Sequence, residues 1–486
     1  MHIFSYKKDR GCVTFMTIGH FPSTSIANNI KEVQSIFHHA SDLIIQNIHV
    51  KEGTLYSSVL YLDSLTNKEF LHNYIINPLH HHFSQTHKDA SDIVGYKGIV
   101  HSLTDIEKYL LEGKSILLIE DDHQGYYFDT ATWPERPPQN FHSELSIKST
   151  QQSFVESLTQ NIALIRRYIP IADLIIHDMK IAHQQKNSSA ILYLKKVADD
   201  EILSELIKRL EKIPVDFIMN MNEIVEYIED DNYSPFPQFL LTERPDLVAA
   251  HLMEGGIALV LDNSSQILLA PVKFVSFFQV IDDYGSRWYI ASFIRILRLF
   301  AFITALFLPS IYIALLSFHF EVIPIQLFFP IAESRAQVPF PTILEAFLML
   351  VVLELMREAA IRLPAPIGPT VGIVSGTIIG QAAVQTGLVS NAMVIVIGIT
   401  ALASYIIPNY DMGTAIRLLR FPLMVLATYF GLVGIIIGWM LLLIHLIGLE
   451  SLGTPYGRPF APLYFKELKD SFVRFPLKFI HNKCNR

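Results

Sequence analysis

Residues Leu299–Phe318 read LFAFITALFLPSIYIALLSF, 20 consecutive positions without a charge. At 1.5 Å per residue, a helix of that length spans a hydrocarbon core of about 30 Å. Further on, Leu363–Tyr410 is 48 residues without a charge, enough for two crossings with a break at Leu388–Asn391. Phe421–Leu449 carries no Lys, Arg, Asp or Glu. Between these runs lies Pro341–Arg362, apolar but holding Glu345, Glu354, Arg357, Glu358 and Arg362. The chain is therefore expected to end in a bundle of membrane helices.

Orientation follows from Lys and Arg placement. Arg287, Arg295 and Arg298 flank the first span, so its start is expected in the cytoplasm. Arg357 and Arg362 end the second, and Arg417 and Arg420 precede the last. The tail is basic too, with Arg458, Lys466, Lys469, Arg474, Lys478, Lys483 and Arg486. Five full crossings would put that tail outside, against the rule. Four to five spans are thus expected, one re-entrant or interfacial: Leu363–Leu388, rich in Gly and bounded by Pro, or Glu321–Ala332.

Composition agrees with two solvents. The 486 residues are 51% hydrophobic and 17% charged, against about 25% charge in soluble domains. Residues 1–286 carry net charge −14 and residues 287–486 carry +6. The acidic half argues against a nucleic-acid partner. Cys12 and Cys484, the only cysteines, make no disulfide framework, which suits a reducing compartment. No apolar run follows the early basic residues as a signal peptide requires, so the N-terminal half is expected to stay cytoplasmic.

That half contains a diverged repeat. Leu60-Tyr61-Leu62-Asp63 resembles Leu192-Tyr193-Leu194-Lys195, and Leu111-Glu112-Gly113 with Ile116–Glu120 resembles Met253-Glu254-Gly255 with Ile257–Asp262. Gly113 and Gly255 fall where a helix C′ glycine is expected, and the short apolar runs after them read as buried strands. Gln151–Ile169 reads as an amphipathic helix opening the second copy. The expected organisation is an N-terminal extension 1–30, α/β subdomains 31–147 and 148–275, a transmembrane bundle 276–450, and a basic tail 451–486. In fold class this is an α/β N-terminal cytoplasmic region of two similar subdomains followed by an all-α transmembrane bundle.

Chemical motifs are few. No P-loop, GxGxxG, HExxH or GxSxG occurs, and the chain is not expected to be an enzyme. His38, His39, His72, His80, His81, His82 and His87 crowd one region, but without a second ligand pair of the right spacing they read as a solvated loop, with no metal or cofactor. Glu120-Asp121-Asp122 and Glu229-Asp230-Asp231 read as solvated turns.

The membrane charges differ, because each costs about 2.5–3.5 kcal/mol in a span. Glu354, Arg357, Glu358 and Arg362 are spaced i,i+3 and i,i+4, so one helix face is charged. Gly368, Gly372, Gly376 and Gly380 recur every four residues, the spacing that lets helices approach closely in lipid. Thr370, Val371, Ser375 and Gln381 lie among them. With Glu345, these residues are candidates for a pore, a gate or a subunit interface; packing alone is the plainer reading of the glycines.

Taken together the motifs resemble the A subunit of the GerA-type spore germinant receptors. The carrying residues are Thr242-Glu243-Arg244-Pro245-Asp246, Glu254-Gly255, Asp283-Tyr284 with Arg287, Ile294-Arg295-Ile296-Leu297-Arg298 and Leu308-Pro309-Ser310. Then come Arg357-Glu358-Ala359, Ile361-Arg362-Leu363-Pro364, Pro366-Ile367-Gly368, Ile379–Val384, Arg417-Leu418-Leu419-Arg420-Phe421-Pro422, Pro455-Tyr456 and Phe460-Ala461-Pro462. The resemblance implies a multi-pass protein of the spore inner membrane that oligomerises into a nutrient-gated ion channel and starts ion release. It further implies a transporter-like B subunit and a lipoprotein C subunit as partners. Three departures suit a diverged paralogue: Ser149-Thr150-Gln151-Gln152 replaces a Gly-Pro-Arg type element, Gly256 stands where a basic residue is common, and an Asp-Tyr-Tyr element reads Asp283-Tyr284-Gly285. The alternative is a stand-alone secondary transporter, which would show inverted repeats among its spans.

Overall fold

The computed structural model describes residues 25–51, 54–82, 96–120, 122, 124–132, 152–181, 188–364 and 368–476. They form two compact units, one of residues 25–229 and 239–272, the other of residues 230–238 and 273–476.

The first unit is a duplication. One copy runs α1 (Ile26–Ile36), β1 (Leu43–Lys51), β2 (Thr54–Leu62), α2 (Lys68–Leu71), a π-helical turn (His72–Ile76), α3 (Asn77–His82), β3 (Tyr96–Val100), α4 (Leu103–Leu111), β4 (Ser115–Ile119) and β5 (Gly125–Phe128). The other runs α5 (Leu158–Tyr168), β6 (Leu174–Met179), β7 (Ser189–Leu194), α6 (Asp200–Glu211), α7 (Met221–Ile228), β8 (Leu240–Thr242), α8 (Pro245–Met253), β9 (Ile257–Leu261) and β10 (Ile267–Ala270). The sheets have the same order, β1-β2-β4-β5-β3 and β6-β7-β9-β10-β8. Every pairing is antiparallel. The register is copied too: Leu60 faces Ile116, and Leu192 faces Ala258.

The first sheet is covered on both faces, which is why its strands are apolar at successive positions. Leu60, Leu62, Ile116 and Leu118 pack with Ile26, Val33, Ile106 and Leu110 on one side. Val59, Tyr61 and Leu117 pack with Leu71, Ile75 and Leu79 on the other. Ile26 is buried in this core, so α1 begins inside the segment 1–30 that the sequence suggests is an extension.

Local devices repeat as well. Gly113 and Gly255 follow α4 and α8 with φ of +81° and +95°, and a Cβ there would come within 3.0 Å of the Leu65 carbonyl and 2.9 Å of the Val197 carbonyl. Only glycine combines that dihedral with that approach. Glu120 Oε2 accepts from the Ile26 amide at the start of α1, and Asp262 Oδ1 from the Leu158 amide at the start of α5. Carboxylates at helix N-termini satisfy orphan donors and oppose the dipole. Glu120 is thereby a cap, and Asp122 accepts from Gln124 N and Tyr126 Oη.

The second copy does not open with a helix over Gln151–Ile169. Among its described residues the helix starts at Leu158, because Phe154 N donates to Glu243 O and Val155 N to Asn161 Oδ1, which hold the preceding residues extended. Within α5, Asn161–Arg166 are all buried, so more than its apolar face is covered. The reason is a joint between the copies. Arg166 Nε and Nη2 donate to Asp42 Oδ2 and Oδ1 at 2.9 and 2.8 Å, both residues being buried. Ser41 N and Oγ both donate to Ile176 O, and His38 pairs with Asp173.

At Gly256 a Cβ would lie 2.1 Å from His251 Nε2. The imidazole thus fills the direction a side chain at 256 would take, and sits 3.1 Å from Ala270 O.

The second unit is helical: α9 (Trp288–Ser317), α10 (Ile325–Ala336), α11 (Thr342–Arg362), α12 (Gly368–Gln385), α13 (Asn391–Ile406), α14 (Tyr410–Gly448) and the short α15 (Phe465–Leu468). Among the described residues, α9 and α14 are long and apolar enough to cross a membrane, and α13 is a shorter apolar helix. α14 is not continuous. Gly431 has φ +60° and ψ −140°, and a Cβ on it would meet His319 and Phe318 at 2.8 and 3.2 Å. A Cβ on Gly434 would lie 2.2 Å from Leu426 O, and one on Gly438 2.4 Å from Leu423 Cδ2. Residues 8 and 15 apart in a straight helix would be about 12 and 22 Å distant. α14 is therefore two antiparallel helices of about 20 residues each, folded at Gly431.

Candidate functional site

The candidate residues of α11 fall into three environments rather than one charged face. Glu345, fully buried, accepts from the Ser390 amide at 3.0 Å through Oε2, and its Oε1 lies 3.6 Å from Arg335 Nε. Ser390 is the N-cap of α13, its side chain accepting from Met393 N. A carboxylate there meets the positive end of the α13 dipole, so the desolvation of Glu345 is offset by a helix terminus and an arginine.

Toward the other end of α11, Glu354 lies 3.3 Å from Arg357 Nη1 and 3.6 Å from Arg417 Nε. Arg357 is buried, donates to Ser404 Oγ at 3.0 Å and sits over the Tyr405 ring. Arg417 sits over Tyr410. Arg420, one turn further, is fully buried. Arg417 and Arg420 thus lie two and three turns inside the first half of α14 rather than ahead of it, because α14 starts at Tyr410, whose N-cap Asn409 accepts from Met412 N. Glu358 and Arg362 form the third environment, an exposed pair at 2.6 Å.

On α12, a Cβ at Gly376 would lie 3.4 Å from Met356 Cε of α11, and one at Gly380 3.9 Å from Val394 of α13. Ala383 is buried, whereas Gln381, Ala382 and Gln385 are exposed in the single chain. Gly368, Thr370, Val371, Gly372 and Ser375 lie on the first half of this helix, and their side chains lie outside the described residues.

A second network gathers at the start of α9. Arg295, fully buried, donates to Asp283 Oδ2 at 2.9 Å and to Asp470 Oδ1 at 2.8 Å, and to the carbonyls of Asp470 and Ser471. Arg298 also donates to Asp283, and Tyr284 Oη to Asp470. Ser292 Oγ donates to Arg474 O. The C-terminal segment is thereby tied to the first turns of α9. Close by in the chain, Glu467 accepts from Lys273 at 2.8 Å and from Arg458. Burial pushes its carboxyl up, but Lys273 and Arg458 together outweigh that and hold it below the usual carboxylate range.

Sequence reasoning found the α11 charges but not their partners Arg335, Ser390, Ser404 and Arg417, nor the buried Arg420. The signal for the last two was present: two arginines three apart beside a 29-residue uncharged run, with no carboxylate nearer on their own helix than Asp411. Among the described residues no three His, Cys, Asp or Glu come together as metal ligands.

The family model for the Bacillus/Clostridium GerA spore germination protein matches residues 31–485. Spore germination protein KA of Bacillus subtilis is 37% identical, covering 93% of this chain and 85% of its own. Spore germination protein A1 of the same organism is 40% identical over 76% of this chain and 77% of its own. GerLA of Bacillus cereus is 34% identical over 93% and 94%. A solved structure, the N-terminal domain of the A subunit of the Bacillus megaterium spore germinant receptor GerK3, aligns over 53% of this chain and 98% of its own at 26% identity and a TM-score of 0.42. By a family match over nearly its whole length, and by relatives at this level of identity, the chain is a member of the GerA family of spore germination proteins.

Proposed function

We propose that the chain is the channel-forming A-type subunit of a nutrient-responsive germination complex, assembling with copies of itself so that α11 and α12 line or gate an ion path. It acts in the spore inner membrane with a transporter-like B subunit and a lipoprotein C subunit, and its N-terminal region is cytoplasmic. The observation that carries this reading is the state of α12. Its described half packs on its own chain along Gly380 and Ala383, while Gly376, Gln381 and Gln385 are exposed. Amides facing acyl chains are costly, so a neighbouring copy or a water-filled path is the fitting environment. The exposed Glu358–Arg362 pair fits the same face-to-face or water-lined setting at the helix end.

Six crossings support a consistent topology: α9, α11, α12, α13 and the two halves of α14. An even number returns the basic tail to the side of Arg287 and Arg295, in keeping with the hydrogen bonds that join Asp470 to Arg295. The turn at Gly431 then supplies the extra crossing, and no re-entrant segment is needed. α10, which has no buried residue and exposes Ile325, Leu327 and Phe329, suits a helix lying in the outer interface.

Ion flux in vesicles holding the purified chain, alone and with its partner subunits and nutrient, tests the reading. Flux through the chain, gated once the partners are present, is expected. Saturable uptake of a solute by the chain alone would make it the secondary transporter instead.

A further inference from the structure

Arg420 is fully buried, and none of its three guanidinium nitrogens has a hydrogen-bond partner. Arg357 Nε is likewise buried without one. Among the described residues, three guanidinium groups here share a single carboxylate, Glu354, whose oxygens are already engaged by Arg357 and Arg417 at 3.3 and 3.6 Å. The cluster therefore holds an excess of positive charge with donors left over. A desolvated cation without a counter-charge does not persist in an apolar setting.

The cluster sits at a defined level. Arg357 is five residues from the end of α11, Ser404 two from the end of α13, and Arg417 and Arg420 lie in the first three turns of α14. Tyr405 and Tyr410, each 63% exposed, flank it. Exposed tyrosines at helix ends mark the boundary between acyl chains and headgroups. Guanidinium forks match the oxygen pairs of a phosphate, and basic pockets between membrane helices take phosphate headgroups.

We propose that Arg357, Arg417 and Arg420, with Ser404 Oγ, form a binding site for a phosphate group, carried by an anionic phospholipid of the adjacent leaflet or by soluble phosphate. The site is independent of whether the chain conducts ions. Glu354 competes with the phosphate for the same arginines, so removing its charge should tighten binding.

The test uses the full-length chain purified in detergent, titrated with phosphatidylglycerol, phosphatidylcholine or inorganic phosphate and read by native mass spectrometry and thermal shift. Wild type is expected to retain phosphatidylglycerol over phosphatidylcholine. Arg420→Gln should bind about tenfold more weakly, and Glu354→Gln several-fold more tightly. Protection by inorganic phosphate without lipid retention would support the site with a soluble source. If Arg420→Gln fails to fold, Glu354→Gln still decides: a carboxylate that merely pairs arginines predicts lower stability and no tighter binding. Equal binding by wild type and Glu354→Gln, or no binding of either phosphate form, would overturn the proposal.

Discussion

The carbonyl of Leu426 and the α-carbon of Gly434 pack so closely that a Cβ on Gly434 would sit 2.2 Å from that oxygen. Eight residues apart in one nominal helix, they touch because the chain reverses at Gly431. In the proposed topology, that contact sets the parity of the membrane crossings.

The reversal predicts accessibility. In a Cys12→Ser, Cys484→Ser background, a cysteine at Leu463 should react with an impermeant reagent from the same side as one at Arg287, and one at Phe320 from the opposite side. Labelling of 463 from the side of 320 would rule out the hairpin as two crossings. Gly434→Leu should abolish the fold of this region, because no side chain fits against Leu426.

The joint between the duplicated subdomains predicts a large energetic effect. Arg166→Met or Asp42→Asn alone leaves its partner buried and uncompensated, at a cost of about 3–5 kcal/mol. Denaturant unfolding of the first unit in the full chain measures it. A change under about 1 kcal/mol for both would show that water already reaches the pair.

Much of this was legible beforehand. The duplication showed in the glycines at 113 and 255 and the apolar runs after them, because a C′ glycine and a doubly covered strand leave local signatures. The Arg166–Asp42 joint was not, since 124 residues separate the partners and nothing local marks Arg166 as buried. Apolar stretches located α9, α11, α12 and α13, but hydropathy is blind to a reversal within one, and nothing in the sequence sets Gly431 apart from the other glycines of its run. The α11 carboxylates were picked out by the cost of placing charge in lipid. Glu354–Arg357 and Glu358–Arg362 follow the i,i+3 and i,i+4 spacing, but the Ser390 amide on Glu345 and Arg417 on Glu354 come from 45 and 63 positions away, beyond any spacing rule.

The tail should respond to acid. Glu467 has its folded carboxyl below the ordinary value of 4.5, so its contribution is present above that pH and is lost as pH falls through the lowered folded value. Thermal unfolding of the purified chain between about pH 6 and pH 3 should show a steeper loss for wild type than for Glu467→Gln. Parallel curves would mean that Lys273 and Arg458 do not hold the carboxylate in solution.

Mass measurement of the full-length chain in native-like nanodiscs tests the central claim most directly, with Gly376→Leu as the comparison. A Cβ at 376 clears its nearest neighbour in the protomer, the flexible end of Met356, at 3.4 Å. Gly376 is exposed in the isolated chain, so the substitution reads on contact between copies once unchanged thermal unfolding shows that α11 and α12 still pack. The account predicts a closed oligomer for wild type and a smaller species for Gly376→Leu, with the first unit still folded. A wild-type monomer whose Gln381 and Gln385 positions are reached by lipid-phase probes would contradict it.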